Sequence, residues 1–360
     1  METEMETCRF GIIGGGWRAE FFLRVARALS ERFAVGSMLV RDGEKGRRIE
    51  EAWGVPTVRT LDAFLDSGFG SFAVVSVPWP VTPEMVRALA ERDVPALAET
   101  PPAPDLEGLR ALHDLTVRGA RVQVSEQYNF QPLLAARLAV ARSGQLGRIS
   151  QAQVSAAHGY HGVSLIRALL DVQYEPCTIQ ARAFVSPLVA GPGRKGPPVD
   201  HKLGDSRQVI AYLDFGDRLG VFDFTGDQYF SWVRSPRLLV RGERGEIVNE
   251  RVSYLEDCQT PVYLDLQRVD AGLAGNLEGY YHKGILAGSE WVYRNPFAPA
   301  RLTDDEIAVA TSLDKMGDYA AGGPSFYSLA EASHDHYLGM LIEQAARSGE
   351  TIATEPQPWM

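Results

Sequence analysis

Apolar and polar positions follow two different rhythms along the chain. Up to about residue 143, short apolar runs at 10–13, 33–40, 71–77, 96–98 and 121–125 alternate with helically spaced segments at 17–29, 43–53, 61–65, 83–92 and 105–118. Strand and helix in regular alternation predict a mostly parallel, doubly wound sheet. Pro83 suits a helix's first turn, and Asp105 caps the next helix. From Arg148 the apolar positions alternate in longer runs at 149–156, 178–185, 208–215, 220–224 and 261–269. The turn at 214–219 joins two of these runs as a hairpin would. Residues 187–204 are rich in Gly and Pro with basic residues, and read as a mobile loop. Such a loop either closes over a substrate or is a tolerated insertion. Residues 325–348 form a long amphipathic helix carrying Tyr327, Leu329, Ala332, Leu338, Leu341 and Ile342, with His334 and His336 as structural members.

The first strand runs straight into Gly14-Gly15-Gly16-Trp17-Arg18-Ala19, where Gly14, Gly16 and Ala19 fit G-x-G-x-x-A. Gly14 permits the tight turn and Gly16 lets backbone approach a pyrophosphate. Ala19 lets the helix lie close to the strand, whose following helix N-terminus offers free N–H groups to phosphates. Trp17 and Arg18 belong to the same cofactor-facing turn. The acidic residue that bonds the ribose hydroxyls of NAD normally ends the second strand. Here that position is Val40, followed by Arg41 and Asp42. A guanidinium without a carboxylate favours NADP, whereas Asp42 serves NAD if the turn is shifted by two residues. The fourth strand ends in Pro78-Trp79-Pro80, beside the expected cofactor crevice. There Trp79 either flanks nicotinamide and substrate or simply packs in a rigid loop.

Composition narrows the classes. With 360 residues, 45% hydrophobic and 23% charged, the chain has room for two domains and a sizeable core. A net charge of −10 argues against nucleic acid or an anionic membrane as a partner. No apolar run approaches a bilayer span and no secretory pattern opens the chain, so a cytoplasmic location is expected. Cys8, Cys177 and Cys258 have no metal or disulfide spacing and are expected to be buried thiols.

Further motifs carry a family resemblance. Glu99-Thr100-Pro101 falls on a Glu-Lys-Pro pattern, and Tyr128-Asn129-Phe130-Gln131-Pro132 on an aromatic-x-Phe-x-Pro segment. Gly159 and His161 match an Asp-x-Gly-x-His helix start, followed by 239–246 as a strand–turn hairpin and 333–337 in a final helix. In these segments the chain resembles the glucose–fructose oxidoreductase / inositol dehydrogenase (Gfo/Idh/MocA) family. The resemblance implies an α/β fold: an N-terminal Rossmann NAD(P)-binding domain, then an α+β domain with an open, mostly antiparallel sheet. The expected division is 1–130 and 131–360, with helix 325–348 available to pack back on the first domain. It also implies NAD or NADP as cofactor, a sugar-like or cyclitol substrate, and a homodimer or homotetramer.

Family dehydrogenases use the Lys of Glu-Lys-Pro and an Asp/His pair around the substrate hydroxyl. Here the Lys position is Thr100 and the Asp position is Ala157. His161 is then the expected acid/base, with Tyr160 or Thr100 holding the hydroxyl. A histidine near a helix N-terminus stays neutral and available as a base. Glu99 joins the cofactor side, while Tyr128, His158 and Lys202 are candidate substrate contacts. Lys195 and Lys283 are further lysines of the second half, and neither Lys202 nor Lys283 lies on a recognisable motif. His158 and His161 lack a nearby carboxylate or thiol to complete a metal site, so no metal is expected. Two functions remain open: an oxidoreductase, with hydride transfer or a redox-neutral variant of it, and an NAD(P)-binding sensor or partner subunit without turnover.

Overall fold

A computed structural model of the chain describes residues 7–272 and 280–360. Its first half alternates β1 (Cys8–Ile13), α1 (Ala19–Ala28), β2 (Phe33–Leu39), α2 (Gly43–Trp53), β3 (Thr57–Val58), α3 (Leu61–Leu65), β4 (Ala73–Val75), α4 (Thr82–Ala90), β5 (Ala96–Ala98), α5 (Leu106–Val117) and β6 (Val122–Val124). The six strands lie in the order β3-β2-β1-β4-β5-β6 and pair in parallel. This is a Rossmann sheet, and its order reverses between β1 and β4, where a crevice opens at the strand carboxyl ends. β4 is shorter than its apolar run because only Ala73–Val75 pair with both neighbours. The two-residue β3 has no apolar run to announce it.

The second half contains α6 (Pro132–Arg142), β7 (Ile149–Ser155), α7 (Gly159–Leu170), β8 (Thr178–Val189), β9 (Leu203–Asp214), β10 (Leu219–Thr225), β11 (Arg237–Gly242), β12 (Gly245–Val248), β13 (Arg251–Leu255), β14 (Pro261–Ala271), β15 (Tyr281–Ala287), β16 (Glu290–Arg294), α8 (Asp304–Ala320), α9 (Leu329–Ser348) and β17 (Ile352–Ala353). Among the described residues these strands form an 11-stranded open sheet, β16-β15-β14-β13-β12-β11-β7-β10-β9-β8-β17. It is antiparallel except for the β7–β10 pair. Helices α7 and α9 pack against each other and cover one face.

Only the two ends of the expected mobile loop at 187–204 belong to the strands of a hairpin. β8 and β9 pair as far as Val189↔Leu203, and residues 190–202 form its tip. The Gly and Pro content misleads because an edge-proximal hairpin tolerates both where side chains face solvent. The final helix starts at Leu329, not at 325. Ser328 caps it, bonding the Glu331 N–H while Glu331 reaches back to the Ser328 N–H. Before it, Tyr327 O accepts from Val124 N at 2.9 Å, which stitches the chain's end to β6. Helix α8 packs on α1. Of the three cysteines, Cys177 is buried and Cys8 half-buried, but Cys258 is exposed, since it sits in the polar turn after β13.

Candidate active site

The glycine turn keeps the geometry its sequence demands. Gly14 has φ +118°, and a Cβ there would stand 2.0 Å from the Ser76 carbonyl oxygen, so the end of β1 presses against the end of β4. Gly16 is different: a Cβ there would point into open space, leaving bare backbone in front of the N-terminus of α1. Ala19 is buried against the sheet. An open, side-chain-free cradle at a helix N-terminus fits a pyrophosphate, so these residues suit a dinucleotide. Trp17 is 54% exposed at this cradle.

Arg18 turns away from solvent. Its Nε donates to Glu99 Oε1 at 3.0 Å and its Nη2 to Gln127 Oε1 at 2.5 Å, joining the glycine turn to the ends of β5 and β6. Glu99 is therefore held by Arg18. At the end of β2, Val40 is buried and Arg41 exposed. Asp42 caps α2, accepting from Lys45 N at 2.9 Å, and that backbone N–H holds its carboxyl below the usual range. A second guanidinium, absent from the sequence reading, lies alongside. Arg59 Nη1 donates to the Val40 carbonyl at 3.3 Å and to Thr57 Oγ1 at 2.7 Å. Gly46 makes room for it, since a Cβ there would stand 2.6 Å from its nitrogens.

Across the crevice, α7 is drawn in tightly. A Cβ at Gly162 would stand 2.6 Å from the Phe222 ring, and one at Gly339 of α9 would stand 3.3 Å from Tyr160 N. Val163, Ile166, Leu169 and Leu170 are buried as the helical spacing predicts. This packing sets His161 into the floor of the site, where its Nδ1 lies 2.6 Å from Glu126 Oε2. Its Nε2 makes no hydrogen bond within the described residues. Aromatic rings enclose it: Tyr128 at 4.5 Å, Tyr160 at 4.4 Å and His158 at 5.0 Å between centroids. Tyr160 hydroxyl donates to the backbone carbonyl of Thr100 at 3.3 Å and lies 3.3 Å from His158 Nε2. His158 Nδ1 lies 2.5 Å from the hydroxyl of Tyr229, and its N–H donates to that oxygen at 3.0 Å. Trp79, 47% exposed, follows Pro78 and meets Tyr160 edge-on at 6.4 Å, so the β4 loop reaches the histidine cluster.

Electrostatics follow from burial. His161 is pushed down to about 3, first by burial and then by Arg18, so desolvation holds it neutral more than its place on the helix. His158 is pushed down to about 4 by burial and by His161. Burial raises Glu126 to about 8 against the opposing Tyr128 N–H and Arg18. The phenols of Tyr128, Tyr160 and Tyr229 are all raised by burial. Ala157, at the position where the resemblance expects Asp, is fully buried.

Thus Tyr128, His158, Tyr160, His161 and the Thr100 backbone share one cluster, while Gly14, Gly16, Trp17 and Ala19 form the cradle with Arg18 and Glu99 between them. Lys202 stands apart, exposed at the base of the hairpin tip, with its carbonyl accepting from Ala190 N at 2.7 Å. Lys283 is on β15, near the far edge of the second sheet. Sequence reasoning missed Glu126, Gln127 and Tyr229. For Glu126 a signal existed: it lies just past β6, at the carboxyl end of a parallel strand where ligands gather. Tyr229 had none, because only the sheet's pairing brings the end of β10 beside β7.

Cradle, crevice and buried histidine together have the form of a dinucleotide-binding α/β protein, with a buried neutral histidine across the crevice from the glycine turn. Residues 8–128 match the family model described as "Oxidoreductase family, NAD-binding Rossmann fold". That match makes this segment similar to the Gfo/Idh/MocA oxidoreductases. No curated protein matches the chain in sequence. Among solved structures, the chain is similar to levoglucosan dehydrogenase in complex with NADH and levoglucosan, at 16% identity and TM-score 0.70, covering 97% of this chain and 99% of that one. It is also similar to an oxidoreductase from Agrobacterium radiobacter in complex with NAD+, L-tartaric acid and magnesium (16%, TM-score 0.68, 97% and 98% covered). A putative myo-inositol dehydrogenase from Sinorhizobium meliloti 1021 is comparable (16%, TM-score 0.67, 96% and 99% covered). At such identities the likeness is one of fold.

Proposed function

We propose that the chain is an NAD(P)-dependent oxidoreductase acting on a CH–OH group of a sugar-like or cyclitol substrate. The observation that carries this reading is the open Nε2 of a buried, neutral His161, set in a polar aromatic cluster beside the glycine cradle. A bound nicotinamide dinucleotide supplies the hydride acceptor or donor. His161 Nε2 exchanges the proton of the substrate hydroxyl, and Tyr160 and His158 orient that hydroxyl from the side. Glu99 keeps Arg18 in place between cradle and cluster. The names of the similar structures, a levoglucosan dehydrogenase and a putative myo-inositol dehydrogenase, support a polyhydroxylated substrate. NADP is the favoured cofactor, with Arg41 and Arg59 at the ribose end of β2 and Asp42 committed to capping α2. A homodimer or homotetramer fits the exposed Phe184, Tyr212 and Tyr263 of the second sheet.

One feature favours a second reading, in which the nucleotide is bound without turnover. The position expected for an ammonium is Thr100, and loss of a charge-stabilising donor typically lowers rate by about 10²–10³-fold. Titrating the protein with NADH and NADPH by fluorescence, then supplying sugars and polyols, separates the two. Binding with turnover supports the oxidoreductase; saturable binding without turnover supports the sensor; no binding of either dinucleotide overturns both.

A further inference from the structure

We propose that Glu126 is a positioning residue which forms, with His161, a single proton-sharing acid/base unit standing in for the charged group that Thr100 cannot provide. This rests on the oxidoreductase reading above. Three observations carry it. Glu126 Oε2 and His161 Nδ1 are 2.6 Å apart, and both side chains are nearly sealed from solvent. The other carboxyl oxygen, Oε1, is fixed by the Tyr128 N–H at 3.0 Å, so the carboxyl cannot swing away. The other ring nitrogen of His161, Nε2, makes no hydrogen bond among the described residues, and the rings of Tyr128, His158 and Tyr160 stand within 5.0 Å of the imidazole between centroids.

The pair has two useful states. Holding two protons and no net charge, it is either a carboxylic acid with a neutral ring or a carboxylate with an imidazolium. In both forms Nε2 carries a hydrogen and donates it to a carbonyl oxygen undergoing reduction. With one proton removed, a carboxylate accepts from Nδ1–H and Nε2 is a bare lone pair. In this state Nε2 takes the proton of an alcohol as its C–H hydride leaves for the oxidised nicotinamide dinucleotide, and the O–H bond electrons form the carbonyl. The proton gained at Nε2 is matched by a shift of the Nδ1 proton toward Glu126, so no isolated charge is created in the buried floor.

The surroundings decide where the pair titrates. Arg18, from the glycine turn, is the cation facing it, and Glu99 neutralises that cation at 3.0 Å. Tyr327 and Asp335 face Glu126 from the α9 side, with Asp335 paired to Arg167 at 2.6 Å. Tyr128, Tyr160 and Tyr229 stay protonated, and His158 is neutral. Burial therefore dominates, and the pair holds its proton well above the ordinary carboxylate range.

The experiment is the pH profile of alcohol oxidation for wild type, Glu126→Gln and Glu126→Asp, with ¹⁵N spectra of the His161 ring over the same range. In wild type kcat rises with pH to a plateau reached above the ordinary carboxylate range. Glu126→Gln loses that limb and falls about 10²-fold in kcat with KM within about 3-fold. Glu126→Asp keeps the limb at reduced rate. A limb that persists in Glu126→Gln, or a loss confined to KM, overturns the proposal. If wild type oxidises no polyol, the oxidoreductase reading fails, and the ring spectra still decide the pair. His161 signals, assigned against His161→Gln, follow the same limb in wild type and not in Glu126→Gln; identical titrations in the two overturn it.

Discussion

Arg41 is the single residue on which the proposed preference for NADP rests most. The choice between NAD and NADP turns on whether the end of β2 offers a carboxylate or a guanidinium to the ribose. Asp42 is spent on the first turn of α2, and Arg59 is braced against the Val40 carbonyl under Gly46. Arg41→Ala is therefore expected to weaken NADPH binding about 10-fold with little change for NADH, measured by fluorescence titration. An equal loss for both, or none, would leave the preference elsewhere. Arg41 can be proposed from sequence because it follows an apolar run by one residue. Glu126 offers only its place at a strand's carboxyl end, since a carboxylate there carries no local mark of its partner. Its meaning comes from His161, thirty-five positions away in sequence, and from the close packing of Gly162 on Phe222 that brings the ring within 2.6 Å.

Among the elements, α9 carries a group with no evident chemistry. His334 is buried with both ring nitrogens unpartnered, set edge-on to Tyr174 at 5.2 Å. Burial, aided by Arg167, pushes it down to about 3. The unfolded chain takes up a proton near 6.5 that the folded chain refuses until about pH 3, so stability is lost as pH falls through that window. Asp335 acts in the opposite sense: burial raises it to about 6, so below that pH the folded chain holds the extra proton. Comparing His334→Phe with wild type isolates the first effect. The variant gains about 2 kcal/mol more at pH 5 than at pH 8 in chemical denaturation, and a pH-independent difference would refute the account. The existence and order of elements in the first half, β3 apart, were legible from periodicity. The strand ends at 187–189 and 203–204 were not, because pairing between β8 and β9 overrode a loop-like composition.

At the scale of the whole molecule, the two sheets meet through more than one contact. Besides α8 on α1 and Tyr327 on Val124, the hairpin tip reaches the cradle, with the Arg194 guanidinium 3.7 Å from the centroid of the Trp17 ring. A partly exposed cation–π contact of this kind is worth about 0.5–1 kcal/mol. It straps the second half of the chain over the entrance to the glycine turn. Arg194→Ala is expected to raise both association and dissociation rates of NADPH about 3-fold in stopped-flow fluorescence, with a smaller change in Kd. Unchanged rates would mean the contact does not gate entry. This strap lay beyond sequence reading, since neither residue signals the other across the fold.

The most direct test is nicotinamide absorbance in a panel of sugars and polyols, run with wild type and His161→Gln at saturating NADP or NAD. The account predicts turnover of at least one polyhydroxylated substrate by wild type, and a loss of about 10²-fold or more in the variant with dinucleotide binding retained. Turnover that survives His161→Gln unchanged would contradict it.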